Sequence, residues 1–156
     1  AWSAGCASGE EAYSLAALLH ARAERAAGGP GAELAHPPYV LGTDVDRATL
    51  GAAAAGRYAD PAFDDTPPAL RARYFPPPPG AEPGAPTPVA PELRALVHFA
   101  AHDLLRDPPP AGPWDVIACR NVVIYFDRVA QEALFERFHA ALAPGGVLFL
   151  GKVETL

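Results

Sequence analysis

The sequence predicts an α/β domain built on a doubly wound, Rossmann-like sheet of mostly parallel strands. Three observations predict it. Short all-apolar runs alternate with longer helical stretches, and strands of that kind are covered on both faces. A run of small residues, Ser3-Ala4-Gly5-Cys6-Ala7-Ser8-Gly9, follows the first apolar run and leads directly into a helix. Polar residues then stand where later strands end, at the carboxyl edge where open α/β sheets bind ligands.

The elements follow in order. Residues 1–4 read as the tail of a strand. A helix is predicted over 10–25, with Tyr13, Leu15, Ala16, Leu18 and Leu19 forming its apolar stripe, and the Gly/Pro cluster at 28–31 stops it. Residues 39–43 form a buried strand ending at Asp44 and Asp46. A helix over 47–55 ends at Gly56. From 58 to 95 the pattern decays into a Pro-rich insertion, with one helical turn near 71–75. Proline density excludes a regular element over 76–91, and this stretch is expected to be mobile and dispensable. Strands return at 96–100 and 114–119. A loop over 120–127 precedes an amphipathic helix over 129–142, with Val129, Leu134, Phe138 and Leu142 facing inward. Pro144-Gly145-Gly146 is a turn into a last strand at 147–150.

Hydrophobic residues make up 50% of the 156 and charged residues 19%, which suits one globular domain spanning 1–156. Net charge is -6 with no dense Lys/Arg run, which argues against nucleic acid or an anionic membrane as partner. No apolar run reaches the length of a membrane span, so no direct membrane insertion is expected and a cytoplasmic location is. The two cysteines, Cys6 and Cys119, form no CxxC pair and the five histidines are scattered, so no metal site is expected. The chain opens on Ala1 in mid-strand, as a domain cut short at both ends would. The edge at 147–150 is then expected to be uncovered and prone to association.

The glycine turn after the first strand lets backbone approach a ligand closely. Glu10 and Glu11 open the following helix. Two carboxylates would repel a pyrophosphate and favour a cation, such as a ligand carrying an amino group and a sulfonium; a plain dipole preference for acids at a helix start also accounts for them. Asp44, at a strand's carboxyl end, is placed to accept hydrogen bonds from a ribose diol, while Asp46 suits the cap of the next helix. Asp103 and Leu104, just past the third strand, could meet an adenine amine and ring, or simply close a turn. Arg120 and Asn121 fall where the fourth strand leaves the sheet, with Tyr125 and Phe126 in the following loop. Phe126 reads as core.

Four segments carry a resemblance. Trp2-Ser3-Ala4-Gly5-Cys6-Ala7-Ser8-Gly9-Glu10-Glu11-Ala12-Tyr13-Ser14 resembles the WSAGCSTGEEPYS segment of CheR-type methyltransferases, with Ser8 and Ala12 where Thr and Pro are usual. Gly42-Thr43-Asp44-Val45-Asp46 is similar to their ATDID. Cys119-Arg120-Asn121-Val122-Val123-Ile124-Tyr125-Phe126 resembles their CRNVLIYF, and the stretch from Pro144 to Glu154 their PGGxLFLGxSE. The resemblance implies methyl transfer from S-adenosylmethionine to glutamate side chains on the cytoplasmic helices of chemoreceptors, leaving S-adenosylhomocysteine. It implies that Ala4, Gly5, Glu10, Asp44, Asp103, Leu104, Arg120 and Asn121 contact the cofactor, with Glu10 favoured over Glu11. Tyr125 would lie near the methyl group, and Arg120 or Tyr125 would orient the accepting carboxylate. The family's helical N-terminal domain has no counterpart in these residues, and the Pro-rich stretch replaces its small β-subdomain. A methyltransferase for small molecules and a non-catalytic signalling module are the rival readings.

Overall fold

The computed structural model describes residues 1–151. In chain order its elements are β1 (Trp2–Ala4), α1 (Glu10–Ala26), β2 (Val40–Asp44), α2 (Arg47–Ala55), β3 (Arg57–Tyr58), a 3-10 turn (Asp60–Phe63) and α3 (Pro68–Tyr74). Then come β4 (Thr87–Pro88), α4 (Pro91–Arg94), β5 (Val97–Ala101), β6 (Trp114–Cys119), a second 3-10 turn (Val123–Tyr125), α5 (Arg128–Ala141) and β7 (Leu142–Leu150). The main sheet runs β5-β2-β1-β6-β7 and every pairing in it is parallel. The chain steps outward from β1 on one side, then crosses to β6 on the other. The crevice between the carboxyl ends of β1 and β6 is therefore the topological switch point.

Strand alternation splits the core across the sheet. Val40 and Val97 pack with Ala12, Tyr13, Ala16 and Ala17 of α1 on one face. Trp2, Ala4, Ile117 and Cys119 pack with Leu134 and Phe138 of α5 on the other. Trp2 anchors the second face: its ring meets Phe138 edge-on at 5.4 Å and its Nε1 donates to Thr43 Oγ1 at 2.9 Å. Truncating so buried a ring should cost about 3–5 kcal/mol.

Two amphipathic assignments shift. In α1 the buried set is Ala12, Tyr13, Ala16 and Ala17, while Leu18 is 57% exposed. Alanines let the helix lie close on the sheet; Leu15 and Leu19 pack at the margin of the same core, and Leu18 alone of the expected stripe turns outward. In α5, Val129 is exposed and Leu134 and Phe138 alone are buried. Its start is set by Asp127, whose carboxylate accepts from Ala130 N at 2.9 Å, a cap that takes precedence over the apolar pattern.

Residues 144–146 do not precede the last strand; they lie inside it. Trp114 pairs with Leu142, and pairing resumes at Val116 with Val147. Proline has no N–H to give and Gly145 is left-handed at φ +80°, so the segment bulges and the ladder closes beyond it. β7 is the sheet edge, with Val147 and Phe149 exposed. The resembling motif's Glu154 lies outside the described residues.

The insertion is the main correction, because regular elements stand within 76–91. Arg57–Tyr58 pairs antiparallel with Thr87–Pro88, and Pro91 opens α4. Both prolines occupy places that need no donor: a short edge pairing and the first turn of a helix. The helical turn near 71–75 is in fact α3, two turns long. Tyr58, Phe63, Tyr74, Phe75, Val89 and Leu93 all join the α1-side core, so the insertion is packed onto the domain. Only the Pro-rich run 76–84 is exposed throughout.

A buried ion pair fastens α3 to α1. Arg73 donates to both oxygens of Glu24, at 2.7 Å to Oε1, and Gly31 N donates to the same oxygen at 2.8 Å. Glu24 is 3% exposed. The hydrogen bonds from Arg73, opposed by burial, hold its carboxyl down at about 2. A carboxyl depressed on folding stabilises the fold above its unfolded value of 4.5, and that contribution is lost as pH falls towards 2. Glu24→Gln should therefore lower the unfolding midpoint at pH 7 and flatten its fall between pH 4.5 and 2, read by thermal denaturation across pH. Parallel curves for the two proteins would remove the pair from the acid response. Replacing residues 77–84 with a short Gly/Ser linker should leave the midpoint unchanged, whereas extending the replacement through Pro88 should lower it by several degrees through loss of the β3–β4 pairing.

Candidate functional site

The turn from β1 into α1 has no room for a side chain at either of its glycines. Gly5 sits at φ +82°, where a Cβ would stand 2.4 Å from Val122 Cγ2; Gly9 sits at φ +92°, where one would meet Ala53, Tyr58 and Phe99 at 2.9–3.1 Å. Glycine is required at both places by backbone angle and by space. Asp44 reaches across from β2 and accepts from Ala7 N at 2.9 Å, while its other oxygen accepts from Asp46 N at 3.0 Å. Asp46 itself caps α2 through Ala48 N at 2.8 Å.

Two adjoining cavities open at the switch point. The larger, about 760 Å³, is lined by Gly5, Cys6, Glu10, Glu11, Asp44, Arg120, Asn121, Val122 and Tyr125 among others. The smaller, about 290 Å³, is walled by Val45, His102, Asp103, Leu104, Leu105 and Phe126, and shares Gly5, Asp44 and Val122 with the first. Asp44 thus stands at the junction of the two. A more enclosed apolar cavity of about 250 Å³ lies between α1 and the insertion; of the candidate cofactor and catalytic residues only Glu10 reaches it.

The two acids at the start of α1 differ in place. Glu10 is exposed at the rim, where both its oxygens accept from Ser8 Oγ. Glu11 lies further in, on the floor between β1 and β6. Ser3 Oγ, fully buried, donates to Glu11 Oε1 at 2.6 Å, and Arg120 Nη1 is 3.9 Å from Glu11 Oε2. Arg120 also lies over the Phe149 ring at 5.5 Å. Its guanidinium is half exposed and faces the cleft mouth with Tyr125, which is 79% exposed on the 3-10 turn after β6. Asn121 follows in a left-handed conformation at φ +58°, which turns the chain out of the sheet beside the cleft.

Ala4 is buried in the α5-side core and lines neither cavity. Asp103 closes its own turn, accepting from Leu105 N at 2.9 Å and Arg106 N at 3.2 Å, and forms part of the smaller cavity's wall. Leu104 lies 8% exposed beside it. Arg137 of α5 fixes this turn by donating to the carbonyls of Leu104 and Leu105 at 3.2 and 3.0 Å. Burial first, and then the charge of Asp44, push the Cys6 thiol up to about 12; it is a packing residue and no nucleophile. Among the described residues no group of three His, Cys, Asp or Glu could hold a metal ion, and no helix is long and apolar enough to cross a membrane.

Sequence reasoning missed Ser3, Tyr58 and Arg137. Ser3 had a signal: it alternates with the apolar Trp2 and Ala4, so it points at α1, and a buried hydroxyl there needs a polar partner. Tyr58 and Arg137 are brought in by tertiary packing and had none.

The lining suits a ligand with a cationic end, a diol and a flat apolar ring. Carboxylates from Glu10 and Glu11 stand on one side, Asp44 at the middle, and Leu104, Val122 and Phe126 with the smaller cavity on the other. Comparison with known proteins identifies that ligand. The family model described as CheR methyltransferase, SAM binding domain, matches residues 1–156. The chain is 36% identical to the chemotaxis protein methyltransferase of Listeria innocua over 99% of its length and 53% of that protein's. It is 36% identical to the one from Escherichia coli K12 over 99% of its length and 51% of that protein's. An uncharacterized 104.1 kDa protein of Rhodobacter capsulatus is 40% identical over 99% of this chain and 15% of its own length. The chain thus spans about half the length of the chemotaxis methyltransferases it matches. In fold it is similar to a DhpI–SAM–HEP complex, with a TM-score of 0.54, 16% identity and coverage of 96% of this chain and 44% of that one. A TehB-like SAM-dependent methyltransferase from Corynebacterium glutamicum gives 0.52, 16% identity, and 96% and 52%. The chain belongs to the CheR methyltransferase family as its S-adenosylmethionine-binding domain, and S-adenosylmethionine is its cofactor.

Proposed function

We propose that this domain methylates glutamate side chains on the cytoplasmic helices of chemoreceptors, acting in the cytoplasm, and that the acceptor carboxylate is received by Arg120. The observation that carries the reading is the chemistry of the cleft mouth. It presents a half-exposed guanidinium and a phenol, Arg120 and Tyr125, and among the described residues no histidine lines the larger cavity. An alcohol or amine acceptor would need a base to take its proton. A glutamate is already ionised at neutral pH and needs only a cation to orient it. Bound S-adenosylmethionine supplies an activated methyl that a carboxylate oxygen takes by in-line displacement, leaving S-adenosylhomocysteine.

The chain's own residues then position and desolvate. Arg120 is held between Glu11 and the face of Phe149, which limits its rotamers before an acceptor arrives. Tyr125, exposed at the same mouth, can donate its hydroxyl to the second acceptor oxygen. Glu11, fixed by Ser3 from below, and Glu10 at the rim meet the amino-acid end of the cofactor. Asp44 takes the ribose hydroxyls on the lone pairs that Ala7 and Asp46 leave open. Gly5 and Asn121 bound the passage, and Asp103 and Leu104 the adenine end.

Asp44→Asn should weaken S-adenosylhomocysteine binding by about ten- to a hundredfold in calorimetric titration, the equivalent of ~1.5–3 kcal/mol for charged hydrogen bonds. Unchanged affinity would take Asp44 out of the ribose site. Incubation with methyl-labelled cofactor and receptor cytoplasmic domain should give label that mild alkali releases as methanol. Arg120→Ala should lower that rate about a hundredfold with cofactor affinity changed far less, and Arg120→Lys should restore part of it. Label that resists alkali, or that enters only small molecules, would point to a different acceptor; cofactor binding without any transfer would leave a signalling module.

A further inference from the structure

We infer that Tyr58, at the start of the Pro-rich insertion, is a positioning residue for the cofactor loop, so that the insertion, which lends Ala62 and Asp65 to the wall of the larger cavity, also sets the geometry of the turn through a residue that does not line it. The inference rests on the S-adenosylmethionine site described above and concerns a residue outside its wall.

The turn 5–9 has few bonds of its own. Gly9 N donates to Cys6 O at 2.9 Å, and Gly9 caps α1 without a side chain. What holds the far end of the turn is Tyr58. Its hydroxyl donates to Ser8 O at 2.7 Å, and the same oxygen lies 3.0 Å from where a Gly9 Cβ would be. Residues 8 and 9 are the last before Glu10 and Glu11, so a shift of this carbonyl moves both carboxylates. The near end is held by β2: Asp44 accepts from Ala7 N, and Thr43 O accepts from Gly5 N and Cys6 N at 2.8 Å. The near-end anchors thus come from the sheet and the Tyr58 anchor from the insertion.

Tyr58 is itself rigid. It is 7% exposed and its ring meets Tyr13 edge-on at 6.0 Å and Phe63 at 6.5 Å. Its backbone is paired to Thr87, with Val89 N donating to Gly56 O at 2.9 Å and Arg57 to Pro86 O at 3.2 Å. The β3–β4 ribbon therefore fixes Tyr58, and Tyr58 fixes Ser8. A buried hydroxyl with one acceptor is a costly group to strand, so the bond persists while the ribbon does.

Tyr58→Phe keeps the ring and removes only this hydrogen bond. Tyr74→Phe is the matched control: a tyrosine of the same core, whose hydroxyl bonds His20 Nδ1 at 2.9 Å, remote from the turn. Both proteins and the wild type are titrated with S-adenosylhomocysteine, and amide hydrogen exchange is followed without ligand. Tyr58→Phe should bind five- to twentyfold more weakly, with faster exchange confined to peptides covering 5–13. Tyr74→Phe should bind within twofold of wild type whatever its unfolding midpoint. Two results overturn the proposal: affinity of Tyr58→Phe within twofold of wild type, or an equal loss in Tyr74→Phe, which would make the effect one of general stability. Failure of the wild type to bind at all would instead sink the cofactor site, while the exchange comparison still reads the coupling of Tyr58 to the turn.

Discussion

Everything at the site depends on how closely the backbone of β1's exit approaches its neighbours. Val122 presses on Gly5 from the β6 side, and Ala53, Tyr58 and Phe99 press on Gly9 from the α2 and insertion side. The left-handed angles at both glycines are what allow the chain to leave the central strand and enter α1 in so little space. A side chain at either position would push the turn outward. It would carry Glu10 and Glu11 away from Arg120, break the reach of Asp44 to Ala7, and close the crevice of the proposed cofactor site.

Buried polarity in the fold is paired. Ser3, Thr43 and Glu24 are buried, and each has a partner: Glu11, Trp2 and Arg73. The pairs divide by role. Trp2–Thr43 ties β1 to β2 within the core, Arg73–Glu24 ties the insertion to α1, and Ser3–Glu11 is the one whose acceptor also faces the cleft. A buried hydroxyl under a carboxylate orients it without neutralising it. Glu11 can then act on Arg120 from one side and on a cationic ligand from the other.

The parallel strands were readable because they are short, apolar and bounded by glycine, proline or acid: the expected 114–119 coincides with β6, and 39–43 falls within a residue of β2. The α2 helix was equally plain, since Asp46 and Gly56 mark its ends chemically. The insertion was misread because proline density argues only against donors. Pro88 needs none at a two-residue edge pairing, nor does Pro91 at a helix start. Depth within the site was not legible. Glu10 and Glu11 are adjacent in sequence, and only the rotation of α1 over the sheet places the second above Ser3 and leaves the first at the rim. Tyr58 carries no local pattern at all; a single tyrosine after a glycine becomes meaningful only once β3 has paired with β4.

The division of labour around the turn is what the proposed carboxylate acceptor, which needs no acid–base pair, calls for. A site that moves a proton needs a titrating group near neutrality held by a second one. Among the described residues, the titratable groups lining the larger cavity are carboxylates, a guanidinium, a phenol and a thiol pushed up by burial, and none of these group types titrates near neutrality at its ordinary value. What such a set can do is fix charges in space. The carboxylates come from α1 and β2, whose positions are set by the glycine turn, and the guanidinium comes from the end of β6, across the switch point. The gap between those two groups is thus determined by the β1–β6 pairing, the most deeply buried contact in the sheet. In the proposed reaction, placing the cationic ligand on one side and the anionic acceptor on the other would convert that pairing into the alignment an in-line displacement requires.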